Sequence, residues 1–169
     1  DTLPPLAPSL SSPSDNSGTS DQTPTFSWSG SDNTSLTQDV SGVENYTIQI
    51  DNDSDFSSPE IEENVSTSPY TPATNLDWGV HYWRVRAWDR AGNAGEWSEN
   101  RELRILNYSV STSESSLEIT RGSDTSITVS VNFLNGVTEN ATLSGSWVGT
   151  TPSGVTASFS SDHGEMSFS

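Results

Sequence analysis

The sequence predicts an all-β protein that consists of two β-sandwiches in tandem. Three observations support this fold class. Apolar residues recur at every second position in several short segments, which is the period of a half-buried strand. No segment of helical length shows an apolar period of 3.6 residues, and turn-forming residues separate the apolar segments. Only 30% of the residues are apolar, but this is enough for a sheet that buries one face.

The first predicted element is a linker with a first strand, residues 1–24. This segment is rich in Pro, Ser, Thr and Asp, a composition typical of stiff, extended linkers. Residues 25–105 follow as the first predicted sandwich. Its alternating strand segments are 26–28, 46–50, 83–87 and 103–105. Glycine-containing turns at 41–42, 75–79 and 90–95 separate these strands.

Residues 106–169 are predicted to form a second, partial sandwich. Apolar residues alternate from 127 to 133 and again from 155 to 159, and Asn135-Gly136 is a hairpin turn signal. The segment is shorter than the roughly 100 residues of a complete sandwich of this type. Either the chain continues in a longer protein, or a neighbouring subunit supplies the missing strand by donor-strand complementation.

A central stretch of the first sandwich resembles the fibronectin type III-like module of prokaryotic surface and secreted proteins. The motif reads Leu76-x-x-Gly79-x-His81-Tyr82-Trp83-Arg84-Val85-Arg86-Ala87, followed by Asp89-x-Ala91-Gly92-Asn93 and Trp97-Ser98. The resemblance extends from residue 5 to residue 105. In that family a Tyr at the start of this strand closes a corner, and the strand parity here puts His81 in its place and Tyr82 outside. Residues 109–169 resemble part of another immunoglobulin-like surface module.

The charge distribution excludes several classes of partner. The formal net charge is −17, from 23 acidic and 6 basic residues, and residues 1–83 contain no Lys or Arg. Because phosphate binding requires a basic surface, nucleic acid is not an expected partner. No apolar run approaches the ~20 residues that span a bilayer, so no membrane insertion is expected in this segment. The absence of cysteine excludes disulfides and thiolate chemistry.

The densest acidic segment contains Asp51, Asp53 and Asp55, at the spacing of the first three ligands of an EF-hand loop. Phe56 replaces the glycine that an EF-hand requires, and Pro59 disrupts the helix that should follow. Carboxylates clustered on a turn remain suitable ligands for calcium outside an EF-hand. The alternative is a solvated turn with Phe56 beneath it. Calcium is the single cofactor that the sequence suggests.

A second candidate site is a face of aromatic and arginine side chains on one strand. Tyr82, Arg84, Arg86 and Trp88 alternate with inward residues and therefore point outward, and Trp97 is expected to lie across from them. Guanidinium–indole stacking contributes about 0.5–2 kcal/mol. The face would stack on a sugar or bind a partner protein, or it belongs to the internal pattern of the module.

Six Asn-x-Ser/Thr sequons indicate an exported glycoprotein, and the least strand-like of them are Asn33 and Asn64. The full set is Asn33, Asn45, Asn52, Asn64, Asn107 and Asn140. Candidates for catalysis are few. His81 lies in a predicted strand, His163 lies in a predicted turn, and no nucleophilic serine motif accompanies them. We therefore expect a non-catalytic chain.

Together these features favour a structural or adhesive segment of a large extracellular or cell-surface protein, such as a surface-layer protein, an adhesin or a filament subunit. Its expected partners are copies of itself in a homo-oligomer or filament, or neighbouring modules of the same longer chain. The alternative is an accessory or carbohydrate-binding module of a secreted polysaccharide-active enzyme, with glycans as partners of Trp88 and Trp97. An exported enzyme of unrecognised mechanism is a third hypothesis.

Overall fold

The structure is a computed structural model that describes residues 1–33, 41–113, 115, 125–134, 157–159 and 165–168. Every regular element in these ranges is a β-strand, so the predicted all-β fold class is confirmed. No helix in the described ranges is long and apolar enough to cross a membrane. The chain divides into two units, Asp1–Leu106 and Asn107–Ser169, which are described separately.

The first unit contains two sheets. A five-stranded sheet has the order β2-β7-β6-β4-β5, in which β2 and β7 are parallel and the other pairs are antiparallel. The strands β1 and β3 form a two-stranded antiparallel sheet. Their bounds are β1 Ser9–Ser12, β2 Ser17–Thr19, β3 Ser27–Ser29, β4 Val43–Asp51, β5 Ile61–Val65, β6 Gly79–Asp89 and β7 Arg101–Ile105.

The core of this unit lies between the two sheets. It follows from the period-two pattern, because alternate residues of β4, β6 and β7 all point to the same side. Trp83 on β6 is fully buried and packs edge-to-face against Phe26, with ring centroids 5.0 Å apart. The remaining buried members of the core are Leu10, Trp28, Ile48, Ile50, Leu76, Val85, Leu103 and Ile105.

Residues 1–24 supply two strands to the sandwich, where the sequence indicated a linker and one strand. Leu10 is the inward residue of β1 and pairs with Trp28. Arg101 of β7 holds this segment in place, because its guanidinium donates to the carbonyl oxygens of Leu10 at 2.7 Å, Ser11 at 3.2 Å and Pro13 at 3.0 Å. The short strands therefore depend on a contact that is distant in sequence.

The second unit contains a four-stranded antiparallel sheet with the order β10-β11-β9-β8. The bounds are β8 Tyr108–Thr112, β9 Thr125–Phe133, β10 Ala157–Phe159 and β11 Glu165–Phe168. Tyr108 and Phe133 form an edge-to-face pair across β8 and β9, with centroids 6.2 Å apart. The predicted turn at Asn135-Gly136 and the predicted turn at His163 lie outside the described residues. Completion by a neighbouring subunit stays a prediction.

Replacement of Arg101 by Lys should destabilise the first unit. Lys keeps the charge but cannot present the planar fork that reaches three carbonyl groups, so we expect the free energy of unfolding to fall by about 1–3 kcal/mol. Urea unfolding followed by tryptophan fluorescence measures this. Arg90→Lys is the matched control, because Arg90 makes one exposed bond of 3.2 Å to the Ser41 carbonyl. Equal unfolding midpoints for both variants would contradict the role assigned to Arg101.

Candidate functional site

The outer face of the five-stranded sheet has a continuous stack of aromatic rings and guanidinium groups. Arg84 Cζ lies 4.0 Å from the ring centroid of Phe56 and 4.4 Å from that of Trp97. Arg86 Cζ lies 4.6 Å from the centroid of Trp97 and 4.8 Å from that of Trp88. The order is Phe56, Arg84, Trp97, Arg86, Trp88, and we call this set the cation–π ladder. The structure thus brings Trp97 onto the face that strand parity predicts.

The segment after β6 positions Trp97 by following β6 back along its edge. The Gly95 amide donates to the carbonyl of Ala87 at 2.9 Å, and the Ser98 amide donates to the carbonyl of Val85 at 2.8 Å. The Ser98 hydroxyl accepts from the Val85 amide at 3.0 Å. Because both flanks of Trp97 are tied to β6, its ring is held over the outward side chains of that strand.

The tight turn that reverses the chain is organised by Asp89, which is almost fully buried. Its carboxylate accepts from the amide and the side-chain nitrogen of Asn93, both at 2.8 Å. Burial raises the pKa of Asp89, but the hydrogen bonds from Asn93, Ala91 and Gly92 outweigh it and lower the pKa below its usual value. Gly92 has φ +89°, the left-handed region that this turn requires.

A first row of hydrogen bonds crosses three strands beneath the ladder. Trp88 Nε1 on β6 donates to the Thr47 hydroxyl on β4 at 2.8 Å. That hydroxyl donates to Asn64 Oδ1 on β5 at 2.7 Å. Thr47 is only 2% exposed, so these bonds satisfy a polar group that water does not reach.

A second row runs parallel to the first. Arg84 Nε donates to Gln49 Oε1 at 2.9 Å, and Gln49 Nε2 donates to Glu62 Oε2 at 2.6 Å. Burial and the neighbouring Arg86 lower the pKa of Arg84, while Asp51 and Glu62 act in the opposite direction. Arg84 therefore uses its plane for stacking and its edge for hydrogen bonding.

This geometry bears on the predicted ligand face, whose members are Tyr82, Arg84, Arg86, Trp88 and Trp97. All five are partly exposed. Guanidinium groups already stack on the indole rings of Trp88 and Trp97, so a sugar ring would have to compete for those surfaces. Ligand binding at this face stays a prediction, and the contacts themselves account for the residue pattern.

Of the predicted calcium ligands, Asp51 ends β4, and Asp53 and Asp55 lie in the turn that follows it. Each carboxylate accepts a hydrogen bond from the backbone amide two residues later, at 3.3 Å, 3.3 Å and 2.7 Å respectively. Phe56 is buried beneath the turn with φ 55°. These bonds organise the turn, in which Asp51 is buried and Asp53 and Asp55 are exposed. Calcium binding here stays a prediction.

Among the described residues, a different trio of carboxylates brings its oxygen atoms within 4.8 Å of one another: Asp1, Asp32 and Asp89. The sequence does not reveal this group because its members are far apart in the chain. Asp1 accepts from the Ser41 amide at 2.8 Å, and Asp32 accepts from the Gly42 amide at 2.6 Å. Asp1 and Asp32 therefore hold the two residues that precede β4.

The described sequons lie in different settings. Asn33 lies in the irregular stretch after β3, as the sequence indicates. Asn64 lies within β5 and not in a loop. The sequence does not reveal this strand, because it is a charged edge strand without a clear apolar alternation. The side chain of Asn52 donates to Glu60 Oε1 at 3.0 Å. Asn45 lies in β4, Asn107 follows β7, and Asn140 lies outside the described residues. Glycosylation stays a prediction.

The corner of the sandwich is closed by a histidine. His81 is 2% exposed, and its Nε2 lies 2.8 Å from the backbone carbonyl oxygen of Asp77, four residues earlier. Its Nδ1 lies 3.0 Å from Glu60 Oε2. In related sandwiches a tyrosine hydroxyl makes the equivalent bond to the backbone upstream. The imidazole therefore performs this task here and, in addition, reaches the segment before β5.

Comparison with known proteins gives one family. Residues 9–105 match the family model described as "Rha78A-like, N-terminal immunoglobulin domain". The match supports an immunoglobulin-like module and does not specify the fibronectin type III class. No curated protein matches the chain.

Similar solved structures include two α-L-rhamnosidases. The enzyme from Dictyoglumus thermophilum aligns with a TM-score of 0.45 and 13% identity over 64% of this chain and 15% of the enzyme. The enzyme from Streptomyces avermitilis, complexed with L-rhamnose, aligns with a TM-score of 0.40 and 21% identity over 62% of this chain and 11% of the enzyme. The chain thus spans a small part of the length of either.

The contact between Arg86 and Trp97 should be measurable as an energetic coupling. In a double-mutant cycle with Arg86→Met and Trp97→Leu, we expect a coupling of about 0.5–2 kcal/mol in the free energy of unfolding. A cycle with Arg90→Met and Trp97→Leu is the control, because Arg90 contacts the Ser41 loop instead. Additive effects in both cycles would show that the ladder does not stabilise the sheet.

Proposed function

Because the chain belongs to the family of Rha78A-like N-terminal immunoglobulin domains, we propose that it is a non-catalytic accessory module of a larger polysaccharide-active enzyme of the α-L-rhamnosidase type. The family match carries this proposal, since it covers the first unit from β1 to β7. The description of the family as N-terminal supports a module that is followed by other domains. Residues 106–169 lie outside the match.

The use of the carboxylates on the first unit supports a non-catalytic role. Glycoside hydrolysis requires two carboxyl groups that face each other across the bond to be broken. Here Glu62 accepts a hydrogen bond from Gln49, and Glu60 contacts His81 and Asn52. Asp51 and Asp53 cap amides in their own turn. Each of these groups has a structural task in holding the sandwich together.

We expect such a module to present a rigid surface to the neighbouring domains of the same chain. The cation–π ladder and the two hydrogen-bonded rows tie β5, β4 and β6 together on the face opposite the core. A sheet that is braced on both faces resists bending, which suits a domain that supports or spaces another domain. Neighbouring modules of the same longer chain are accordingly its proposed partners.

The family match favours this function over a surface-layer, adhesin or filament role. The features that suggested the latter, namely the acidic charge, the sequons and the tandem sandwiches, are general properties of exported proteins. They are equally consistent with a secreted enzyme. An extracellular location therefore remains part of the proposal under either function.

The proposal is tested by activity on an aryl α-L-rhamnoside. We expect the natural full-length protein to hydrolyse it and the 169-residue chain alone to be inactive. Deletion of residues 1–106 from the full-length protein should lower its thermal unfolding temperature while the turnover per folded enzyme changes only a few-fold.

The control for the deletion is a full-length chain in which an unrelated sandwich domain of equal length replaces residues 1–106. This control distinguishes a stabilising effect that is specific to residues 1–106 from the effect of any attached domain of that size. The proposal would be wrong if the flanking sequence encodes no glycosidase domain, or if the 169-residue chain itself releases the aryl alcohol.

A further inference from the structure

A shallow cleft opens on the first unit, close to the start of β6. It has a volume of about 190 Å³ and is bounded by the residue before β5 and by the loop between β5 and β6. Its lining residues are Glu60, Ile61, Thr74, Asn75, Leu76 and Asp77. Neither the cation–π ladder nor the carboxylates of the calcium prediction contribute to it.

The loop wall of the cleft, residues 74–77, is hydrogen-bonded to Gln22. The amide of Leu76 donates to the backbone carbonyl of Gln22 at 2.9 Å, and Gln22 Nε2 donates to the carbonyl of Leu76 at 2.7 Å. Asn75 Nδ2 donates to Gln22 Oε1 at 3.3 Å. This reciprocal pairing holds the loop backbone in one conformation, so the side chains on its outer side are preorganised.

The other wall, formed by Glu60 and Ile61, lies next to the buried His81. Its Nε2 is hydrogen-bonded to the Asp77 carbonyl at 2.8 Å, and its Nδ1 lies 3.0 Å from Glu60 Oε2 without hydrogen-bond geometry, so His81 lies between the two walls. Asn52 Nδ2 holds the other oxygen of Glu60 at 3.0 Å. Glu60 Oε1 is therefore held by a hydrogen bond and Oε2 lies against His81, and each oxygen keeps a lone pair that can accept a hydrogen bond.

Several groups in and beside the cleft are available to a ligand. The Asp77 carboxylate and the Thr74 hydroxyl are exposed, and neither makes a hydrogen bond within the described part of the chain. Leu76, at 3% exposure, gives the cleft an apolar element. Trp78 directly follows Asp77 and is 40% exposed. Hydroxyl, amide and carboxylate groups around the apolar Leu76 suit a ligand with a small apolar surface and a polar rim.

We propose that this cleft binds one unit of a neutral saccharide, an inference that rests on the function proposed above. Sugar hydroxyl groups would donate to the Asp77 and Glu60 carboxylates and exchange hydrogen bonds with Thr74 and Asn75. Two carboxylates and a net charge of −17 disfavour uronic acids and phosphorylated sugars. A neutral sugar with an apolar ring face, of which L-rhamnose is the test compound, meets these requirements.

The test is a titration of the ¹⁵N-labelled 169-residue chain with L-rhamnose, followed by amide and indole chemical shifts. We expect saturable shifts confined to Glu60, Ile61, residues 74–77 and Trp78. Asp77→Asn and Thr74→Ala should each weaken binding by about tenfold, which corresponds to about 1.4 kcal/mol. Asp55→Asn, an exposed carboxylate of another turn, is the matched control and should bind normally.

Three outcomes would overturn the proposal. These are the absence of shifts at tens of millimolar L-rhamnose, shifts centred on the cation–π ladder, and equal binding of D-galacturonate. Calcium chloride is titrated in parallel, and shifts of the cleft amides with calcium alone would identify a cation site instead. Using two variants keeps the test interpretable if either Asp77→Asn or Thr74→Ala loses its dispersed spectrum.

Failure of this proposal is distinguishable from failure of the proposed function. If the 169-residue chain does not bind L-rhamnose but the full-length protein hydrolyses the aryl rhamnoside, the accessory function stands and the cleft proposal is wrong. A chain that binds L-rhamnose, from a protein without a glycosidase domain, would reject the accessory function and retain the cleft.

Discussion

The first unit depends on one constraint: residues 47–51 of β4 are buried on both faces, although their outer face is polar. Thr47 and Gln49 are 2% and 8% exposed, and a buried polar group without a partner costs about 1–3 kcal/mol. Donors and acceptors on β5 and β6 must therefore align with them in register. The antiparallel pairing places Asn64 and Arg86 opposite Thr47, and Glu62 and Arg84 opposite Gln49. The second row joins residues that are directly opposite one another, whereas in the first row the donor on β6 is Trp88, two residues beyond Arg86.

The same constraint favours arginine over lysine at position 84. Arg84 stacks with its plane on Phe56 and Trp97 while its Nε donates to Gln49. An ammonium group has no plane and could not do both. Arg101 likewise reaches three carbonyl groups from one side chain. The chain has no cysteine, so it has no disulfides of the kind that stabilise many small secreted domains. These arginine contacts instead connect segments that are distant in sequence.

Strand parity and turn chemistry predict much of this structure. The alternation around Ile48, Trp83 and Leu103 gives the central strands and the core, and the turn after Asp89 brings Trp97 onto the outer face of β6. Other features escape prediction because they depend on tertiary contacts. The strands β1 and β2 are too short to show a period, β5 is a charged edge, and the cleft forms only where His81 joins segments that are separate in sequence.

The aromatic residues of the outer face differ from Trp78, next to the cleft in sequence, in what surrounds them. Trp88 and Trp97 lie beside β6 arginines in the middle of the sheet, so their ring faces have cationic partners within the fold. Trp78 lies where the sheet ends and a loop begins, and it is 40% exposed. A rigid sheet fixes such a loop while leaving its side chains accessible, which is why recognition in a sandwich belongs to the strand ends. The ladder thus serves the cleft indirectly, by holding β6, from which His81 projects, in a fixed place.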